Sequence, residues 1–155
     1  EYTTPSSLCL GAFDLSVWWA YISIFTGGIY DRFPRLKVSF VEHDARFFSL
    51  FLERAMHWWP TAACKPWPGK KSPEAVLREH AVYFGFEGDY DYMPEFMKLV
   101  GDDRVLGAFD FPHTHYGEAS LSQSFDFMRD HVGLNLLQKR QVLHDNAAAF
   151  YGLKD

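Results

Sequence analysis

The amino-acid sequence predicts an α/β protein with a parallel sheet, and three observations lead to this fold class. First, three short segments are apolar on both faces, which is typical of strands buried between layers of helices. Second, helical segments separate these strands, and such alternation predicts crossover helices between parallel strands. Third, the 155 residues are 48% hydrophobic, enough for one domain, residues 1–155, with a sizeable core.

The individual elements are predicted from local apolar runs and from the residues that stop them. Strands are predicted over residues 36–41, 82–86 and 105–109. Helices are predicted over residues 13–26, 46–57, 73–79, 92–100, 121–131 and 136–150. Gly27-Gly28 stops the first helix, residues 31–35 form a turn, and Ser72 is the N-cap of the helix that Pro73 opens. Three strand–helix units are too few to close an eight-stranded barrel, so the sheet is either open or part of a larger barrel.

Charge and composition disfavour several classes of protein. The net charge of −5 comes without a block of Lys and Arg, which disfavours nucleic-acid binding because phosphate contacts need clustered cations. The longest apolar stretch, residues 13–29, contains Asp14 and is too short and too polar for a membrane span. Cys9 and Cys64 lie far apart, which favours two free thiols in a reducing cytoplasm. Aromatic residues make up 18% of the chain and are expected mainly in the core and in a subunit interface.

Polar residues follow each predicted strand. The first strand ends in Glu42-His43-Asp44, the second in Glu87-Gly88-Asp89, and the third in the segment from Asp110 to His115. Reactive groups of parallel α/β folds gather at the carboxyl ends of the strands. Apolar strands with acidic and imidazole-bearing ends therefore predict a functional site at this edge of the sheet.

Asp110 is the strongest candidate in these segments. A carboxylate directly after an apolar strand can ligate a divalent metal or take a proton from metal-bound water. The alternative is a turn or helix-capping aspartate that binds its own backbone. His113 and His115 have a spacing that suits a zinc-binding pair, and the alternative for them is a solvated loop with one imidazole bound to a carboxylate.

Glu42 is a candidate general base, or a partner that orients a metal ligand. The alternative for Glu42 is a salt bridge with Arg46 or Arg54. His43 and Asp44 are weaker candidates, because neighbouring residues of a strand face opposite sides of the sheet.

Three segments of the chain resemble motifs of one known family. Residues 29–38, IYDRFPRLKV, resemble the family's RFPxLK element. Residues 101–113, GDDRVLGAFDFPH, resemble its last strand with the metal-binding aspartate, and residues 146–153, NAAAFYGL, resemble its closing motif. The motifs occur in the family's order and together span nearly the whole chain. They are those of the amidohydrolase-2 family, which includes aminocarboxymuconate semialdehyde decarboxylase and related aromatic-acid decarboxylases and hydrolases.

The resemblance implies the C-terminal part of a distorted (β/α)8 TIM barrel, with about three βα units and the closing helices. The family binds one divalent metal, commonly zinc, and Asp110 matches its metal ligand on the eighth strand. Phe109 stands here where the family has Ser. Glu42 falls where decarboxylases of the family carry a catalytic histidine and other members carry glutamate, so hydrolysis and decarboxylation both stay open.

The resemblance also implies residues that bind substrate. His113 matches a site-shaping histidine of the family, and Arg54 lies near an arginine that reaches the substrate across a dimer interface in some members. His43 is a third substrate-binding candidate. The family's histidine ligands on its first and fifth strands have no matching position in this sequence. The chain is therefore expected to work with a missing N-terminal half of the barrel, or as a homodimer.

The predicted function is that of a metal-dependent hydrolase or non-oxidative decarboxylase that acts on a small carboxylate or cyclic substrate. Two alternatives remain at the level of the sequence. In the first, the chain is a truncated, non-catalytic half-barrel that serves as a binding or assembly module. In the second, Asp110, His113 and His115 form a self-contained metal site that the pairing of two chains completes.

Overall fold

The computed structural model of the protein describes residues 14–41, 45–61, 66–87, 91–109 and 121–153. Its strands are β1 (Lys37–Phe40), β2 (Ala81–Glu87) and β3 (Val105–Ala108). Its helices are α1 (Asp14–Thr26), α2 (Ile29–Arg32), α3 (Ala45–Trp58), α4 (Pro73–Glu79), α5 (Met93–Val100), α6 (Leu121–Asp130), α7 (Leu136–Arg140) and α8 (Asn146–Tyr151). A 3₁₀ turn, Asp102–Arg104, precedes β3, and a π-helical segment, Gln141–Asp145, joins α7 to α8. The chain divides into two compact units, residues 1–36 with 43–80 and residues 37–42 with 81–155.

Aromatic packing between α1 and α3 forms the core of the first unit. Tyr21 and Phe25 lie four residues apart in α1, and Phe48 and Phe51 lie three apart in α3, so each pair shares one face of its helix. All four side chains are at most 3% exposed. Their ring centroids are 5.1–5.6 Å apart across the two helices. Because burial of one such side chain contributes about 2 kcal/mol, this cluster is a main source of stability in the unit.

Helix α4 has the capped N-terminus that the sequence predicts. The Ser72 hydroxyl accepts a hydrogen bond of 3.1 Å from the amide of Ala75, and Pro73 occupies the first turn. Val76 and Leu77 are the buried side chains that follow. The helix spans Pro73–Glu79, so the predicted bounds are confirmed.

A surface ion pair at the end of α4 gives a pH-dependent prediction. Lys71 donates a hydrogen bond to the Glu79 carboxylate, and this bond holds the pKa of Glu79 below its ordinary value. A lowered pKa in the folded state stabilises the fold above the unfolded pKa, and this contribution is lost as the pH falls through the folded pKa. We expect Lys71→Met to return the Glu79 pKa to the ordinary range, measured by NMR titration of the side-chain carboxyl carbon. The control is Lys70→Met, which removes a neighbouring charge but not the bond; an equal shift in both variants would contradict the assignment.

The second unit is built on the sheet, with the strand order β1-β2-β3 and parallel pairing throughout. The predicted parallel sheet is confirmed, and each strand lies within one residue of its predicted bounds. Phe84 and Phe86 of β2 pack against Phe96 of α5, with ring centroids 5.1 and 5.2 Å apart. The sheet face that carries these side chains is called the α5 face below. Side chains of the other face, such as Tyr83 of β2, point to the opposite side because strand side chains alternate.

Two predicted elements differ from the structure. Within the predicted turn over residues 31–35, Asp31 and Arg32 belong to α2, which begins after Gly28. Gly28 has a φ of 72°, a conformation that glycine adopts without steric cost. The predicted helix over 136–150 is interrupted by the π-helical segment, where the Asn146 amide donates to the carbonyl of Gln141. A π turn keeps helical backbone angles, so an apolar pattern does not reveal it.

Lys37 joins the first strand to the last helix of the second unit. Its ammonium group donates hydrogen bonds of 2.7 and 2.8 Å to the carbonyls of Ala149 and Phe150, near the end of α8. Carbonyls of the last helical turn lack partners within the helix, and a lysine satisfies them well. On the same side of the sheet, the rings of Tyr83 and Phe150 pack edge to face at 5.1 Å.

The Lys37→Met variant tests the contribution of this contact. It keeps most of the alkyl chain and removes both hydrogen bonds. We expect α8 to fray and the free energy of unfolding to fall by about 1 kcal/mol. Amide exchange in α8 and urea unfolding measure the two effects. The control is Lys98→Met, at an exposed position of α5, with an expected change in the free energy of unfolding below about 0.5 kcal/mol. Equal losses of stability in the two variants would contradict a specific contribution of the Lys37 hydrogen bonds.

Candidate active site at the carboxyl edge of the sheet

The three strands of the second unit end at one edge of the sheet. Phe40 at the end of β1 pairs with Phe84, and Ala108 at the end of β3 pairs with Glu87 at the end of β2. All strands are parallel, so their carboxyl ends meet as the sequence predicts. In α/β proteins this edge is where ligands bind.

Most predicted site residues lie outside the described residues. Asp110, Glu42, His43 and His113 belong to segments 42–44 and 110–120, which the structure does not describe. The same holds for His115, Asp44, Cys9 and Cys64. Their predicted roles therefore stay predictions. The structure does place the residues next to them, Val41 after β1 and Phe109 after β3.

Arg54 is described, and it lies on α3 of the first unit. Its guanidinium carbon is 5.9 Å from the centroid of the Trp58 ring, within the range of cation–π attraction. Both side chains, with Trp18 and Trp67, line a groove of about 430 Å³. Arg54 thus presents a positive charge on an aromatic surface of the first unit.

Val41 and Gly85 form a close contact at the carboxyl edge that the sequence did not single out. Gly85 is buried in β2, and a Cβ added there would lie 2.8 Å from Cγ1 of Val41. Val41 itself is 57% exposed. The sequence does carry a signal for this contact, since a glycine inside a strand often marks the close approach of another backbone.

The carboxyl groups with a lowered pKa belong to surface ion pairs. His144 donates a hydrogen bond to Asp145 and is the main cause of its lowered pKa, with Arg140 adding to it. The pKa of Asp130 is lowered in the same way by the hydrogen bonds from Arg129. Each shift is explained by its own ion pair, so neither marks a catalytic group.

Two further findings concern metal binding and membranes. Within the part of the chain that the structure describes, no three His, Cys, Asp or Glu side chains come together as they would around a metal ion. The predicted metal ligand Asp110 lies outside the described residues. In the described ranges, no helix combines the length and apolar character needed to cross a bilayer.

Solved structures resemble this chain over nearly its full length. No protein-family model matches the sequence, and a search of curated proteins finds no match. An amidohydrolase from Mycobacterium avium subsp. paratuberculosis K-10 superposes with a TM-score of 0.77 and 24% identity, over 98% of this chain and 37% of its own. The chain has an amidohydrolase-type fold.

Two decarboxylases share the amidohydrolase-type fold. A dihydroxybenzoic acid decarboxylase from Polaromonas sp. JS666, solved with manganese and the inhibitor 2-nitroresorcinol, has a TM-score of 0.73 and 16% identity over 99% of this chain and 48% of its own. A 5-carboxyvanillate decarboxylase from Sphingomonas paucimobilis has a TM-score of 0.69 and 20% identity over 87% of this chain and 39% of its own.

The predicted fold class is confirmed by these structures. They are TIM-barrel amidohydrolases, and this chain spans 37–48% of the length of the three of them. The described sheet has three parallel strands and does not close into a barrel. The amidohydrolase-type fold of this chain therefore corresponds to part of such a barrel.

Proposed function

We propose that this chain is the C-terminal part of a metal-dependent enzyme of the amidohydrolase kind, a hydrolase or a non-oxidative decarboxylase. The observation that carries the proposal is the shared carboxyl edge of β1, β2 and β3, which three segments with acidic or imidazole side chains follow. The amidohydrolase-type fold and the three ordered sequence motifs support it. The proposed substrate is a small carboxylate or cyclic compound.

Each predicted site residue has a proposed role. Asp110 ligates a divalent metal, and Glu42 acts as a general base that takes a proton from the attacking group. His113, His43 and Arg54 bind the substrate. A divalent metal at such a site supplies a Lewis acid and lowers the pKa of bound water.

The proposed metal is a divalent ion, either zinc or manganese. Two of the solved neighbours contain manganese: the dihydroxybenzoic acid decarboxylase from Polaromonas sp. JS666 and a 5-carboxyvanillate decarboxylase from Novosphingobium aromaticivorans DSM 12444. Zinc is the metal that the sequence resemblance implies. Carboxylate and imidazole ligands suit either ion, so the chemistry of the proposed ligands does not separate them.

The test combines metal content with turnover in the full-length protein. Mass spectrometry of metals on the purified protein should find about one zinc or manganese ion per chain. The same sample is incubated with 2,6-dihydroxybenzoate and with 5-carboxyvanillate, and CO₂ release is followed. Metal together with release of CO₂ supports the decarboxylase form of the proposal. A metal-bound protein that hydrolyses a cyclic amide or ester supports the hydrolase form, and a protein without metal or turnover contradicts the proposal.

The binding or assembly module is the second candidate function. Several large apolar side chains near the C-terminus are more than 60% exposed, among them Val132, Leu136, Leu137, Tyr151 and Leu153. Such side chains favour a surface that a partner covers. Sedimentation velocity over a hundredfold range of concentration tests this function. Concentration-dependent association without metal or turnover would support the module, and a metal-free, inactive monomer would contradict both candidates.

A further inference from the structure

The face of the sheet opposite the α5 face carries different side chains at its amino end and at its carboxyl end. Register and alternation place Lys37 and Ser39 of β1 on this face, beside Ala81 and Tyr83 of β2. Val41, directly after β1, lies against Gly85 of β2. The amino end is filled by large side chains, since Tyr83 packs against Phe150. Arg104 also lies over the Tyr83 ring, 5.6 Å from its centroid.

At the carboxyl end of the same face, Leu106 pairs with Gly85 and is buried, with 7% exposed. Gly85 has no side chain, and Ala108, which pairs with Glu87, has only a methyl group. Val41, which lies against Gly85, is 57% exposed. Val41, Leu106 and Ala108 thus give this end apolar side chains beside the proposed active site.

Val41 lies directly over the backbone of Gly85. A Cβ at Gly85 would lie 2.8 Å from Cγ1 of Val41 and 3.4 Å from its Cα and Cβ. The first distance is too short for any side chain, whereas the other two are ordinary contacts. The absence of a side chain at Gly85 thus lets Val41 lie flat on β2, and Cγ1 is the atom that a larger residue would displace.

We propose that Val41, positioned by Gly85, is a specificity-determining residue that contacts the apolar body of the substrate. The inference rests on the proposed function, because it assigns the substrate to the carboxyl edge of the sheet. Val41 contributes the apolar contact and limits the width of the ring that fits there. Gly85 is a positioning residue that acts through Val41.

The first experiment measures substrate selectivity in the full-length protein. The two probes are 2,6-dihydroxybenzoate and the bulkier 5-carboxyvanillate. Val41→Ala removes two methyl groups and so makes room for the bulkier probe. We expect kcat/KM for 5-carboxyvanillate, divided by kcat/KM for 2,6-dihydroxybenzoate, to rise about tenfold. The change should lie in KM and not in kcat. Val41→Phe should shift the ratio in the other direction. The control is Ser39→Ala, on the same face two residues earlier, with an unchanged ratio.

The second experiment tests whether Gly85 acts through Val41. Gly85→Ala should raise KM for both probes and lower the melting temperature by about 5 °C, because overpacking displaces Val41. In the double variant Gly85→Ala, Val41→Ala, the close contact is gone, so the melting temperature should recover and the selectivity should match that of Val41→Ala. A double variant with the summed losses of the two single variants would overturn the positioning role.

The outcomes separate the inference from the proposed function. An active wild-type enzyme whose selectivity is the same in Val41→Ala and Val41→Phe overturns the inference and leaves the proposed function intact. A wild-type protein without turnover of either probe, and without hydrolysis of cyclic amides or esters, overturns both. If only hydrolysis is found, the same comparison uses a narrow and a wide cyclic ester, with the same expected direction.

Discussion

Asp110→Ala in the full-length protein should abolish turnover while the fold persists. The proposed metal would lose a carboxylate ligand, and the reaction would lose several kcal/mol of charge stabilisation. This corresponds to a fall in kcat of about 10³-fold or more. Metal content per chain should fall in parallel, whereas the far-ultraviolet circular dichroism spectrum should stay the same. Steady-state kinetics and metal analysis of the same preparation measure both effects.

A matched aspartate provides the control for this prediction. Asp103 lies in the 3₁₀ turn before β3, within the same sequence motif, and its side chain is 68% exposed. Asp103→Ala should leave turnover and metal content unchanged, since it removes only a surface contact with Arg104. Full activity in Asp110→Ala would rule out Asp110 as the metal ligand. Loss of activity in both variants would point to a disturbed β3 instead.

Asn146→Leu should destabilise the second unit by about 2–3 kcal/mol. The Asn146 side chain is buried, with 4% exposed. Its amide nitrogen donates hydrogen bonds of 2.8 Å to the carbonyl of Asp102 and 2.7 Å to that of Val105. Leucine has nearly the same size but no donor, so it leaves both carbonyls without this partner. Urea unfolding measures the change in free energy.

The same residue type at a helix cap gives the control. Asn135 caps α7, accepts from the amide of Gln138 and lies exposed on the surface. Asn135→Leu should cost about 1 kcal/mol or less, because water can replace the lost bond. We also expect Asn146→Asp to destabilise strongly, since it places a carboxylate oxygen against two carbonyls. If Asn146→Leu cost no more than Asn135→Leu, the hydrogen bonds from Asn146 of α8 to the 3₁₀ turn and β3 would not contribute to stability as inferred.

Local sequence signals predicted most elements because the chemistry that sets them is local. Ser72 and Pro73 suffice to start α4, since a hydroxyl acceptor and a fixed φ favour a helix at that point. Strand β2 is predicted by its run of apolar residues. The π-helical segment is different, because it directly precedes Asn146. The side chain of Asn146 donates hydrogen bonds to the carbonyls of Asp102 and Val105, which lie more than 40 positions away. Such a contact leaves no periodic pattern in the chain.

The candidate site was predicted less completely than the fold. Parallel pairing follows from the alternation of strands and helices, so the shared carboxyl edge could be predicted. The roles of Asp110 and Glu42 depend on the positions of particular oxygen atoms, which a sequence pattern does not fix. Gly85 was overlooked as a site residue, although a glycine between Phe84 and Phe86 is unusual in a buried strand. The role of Gly85 depends on its contact with Val41, which follows another strand.

The bonds from Lys37 to the end of α8 also bear on how the protein is made. The two bonds join residues that are 112 and 113 positions apart. A ribosome that adds 5–20 residues each second needs roughly 6–20 s to make that length. During this interval β1 and its neighbour β2 are made while α8 is still incomplete. The contact of Lys37 with α8 therefore forms only after residue 150 has been made.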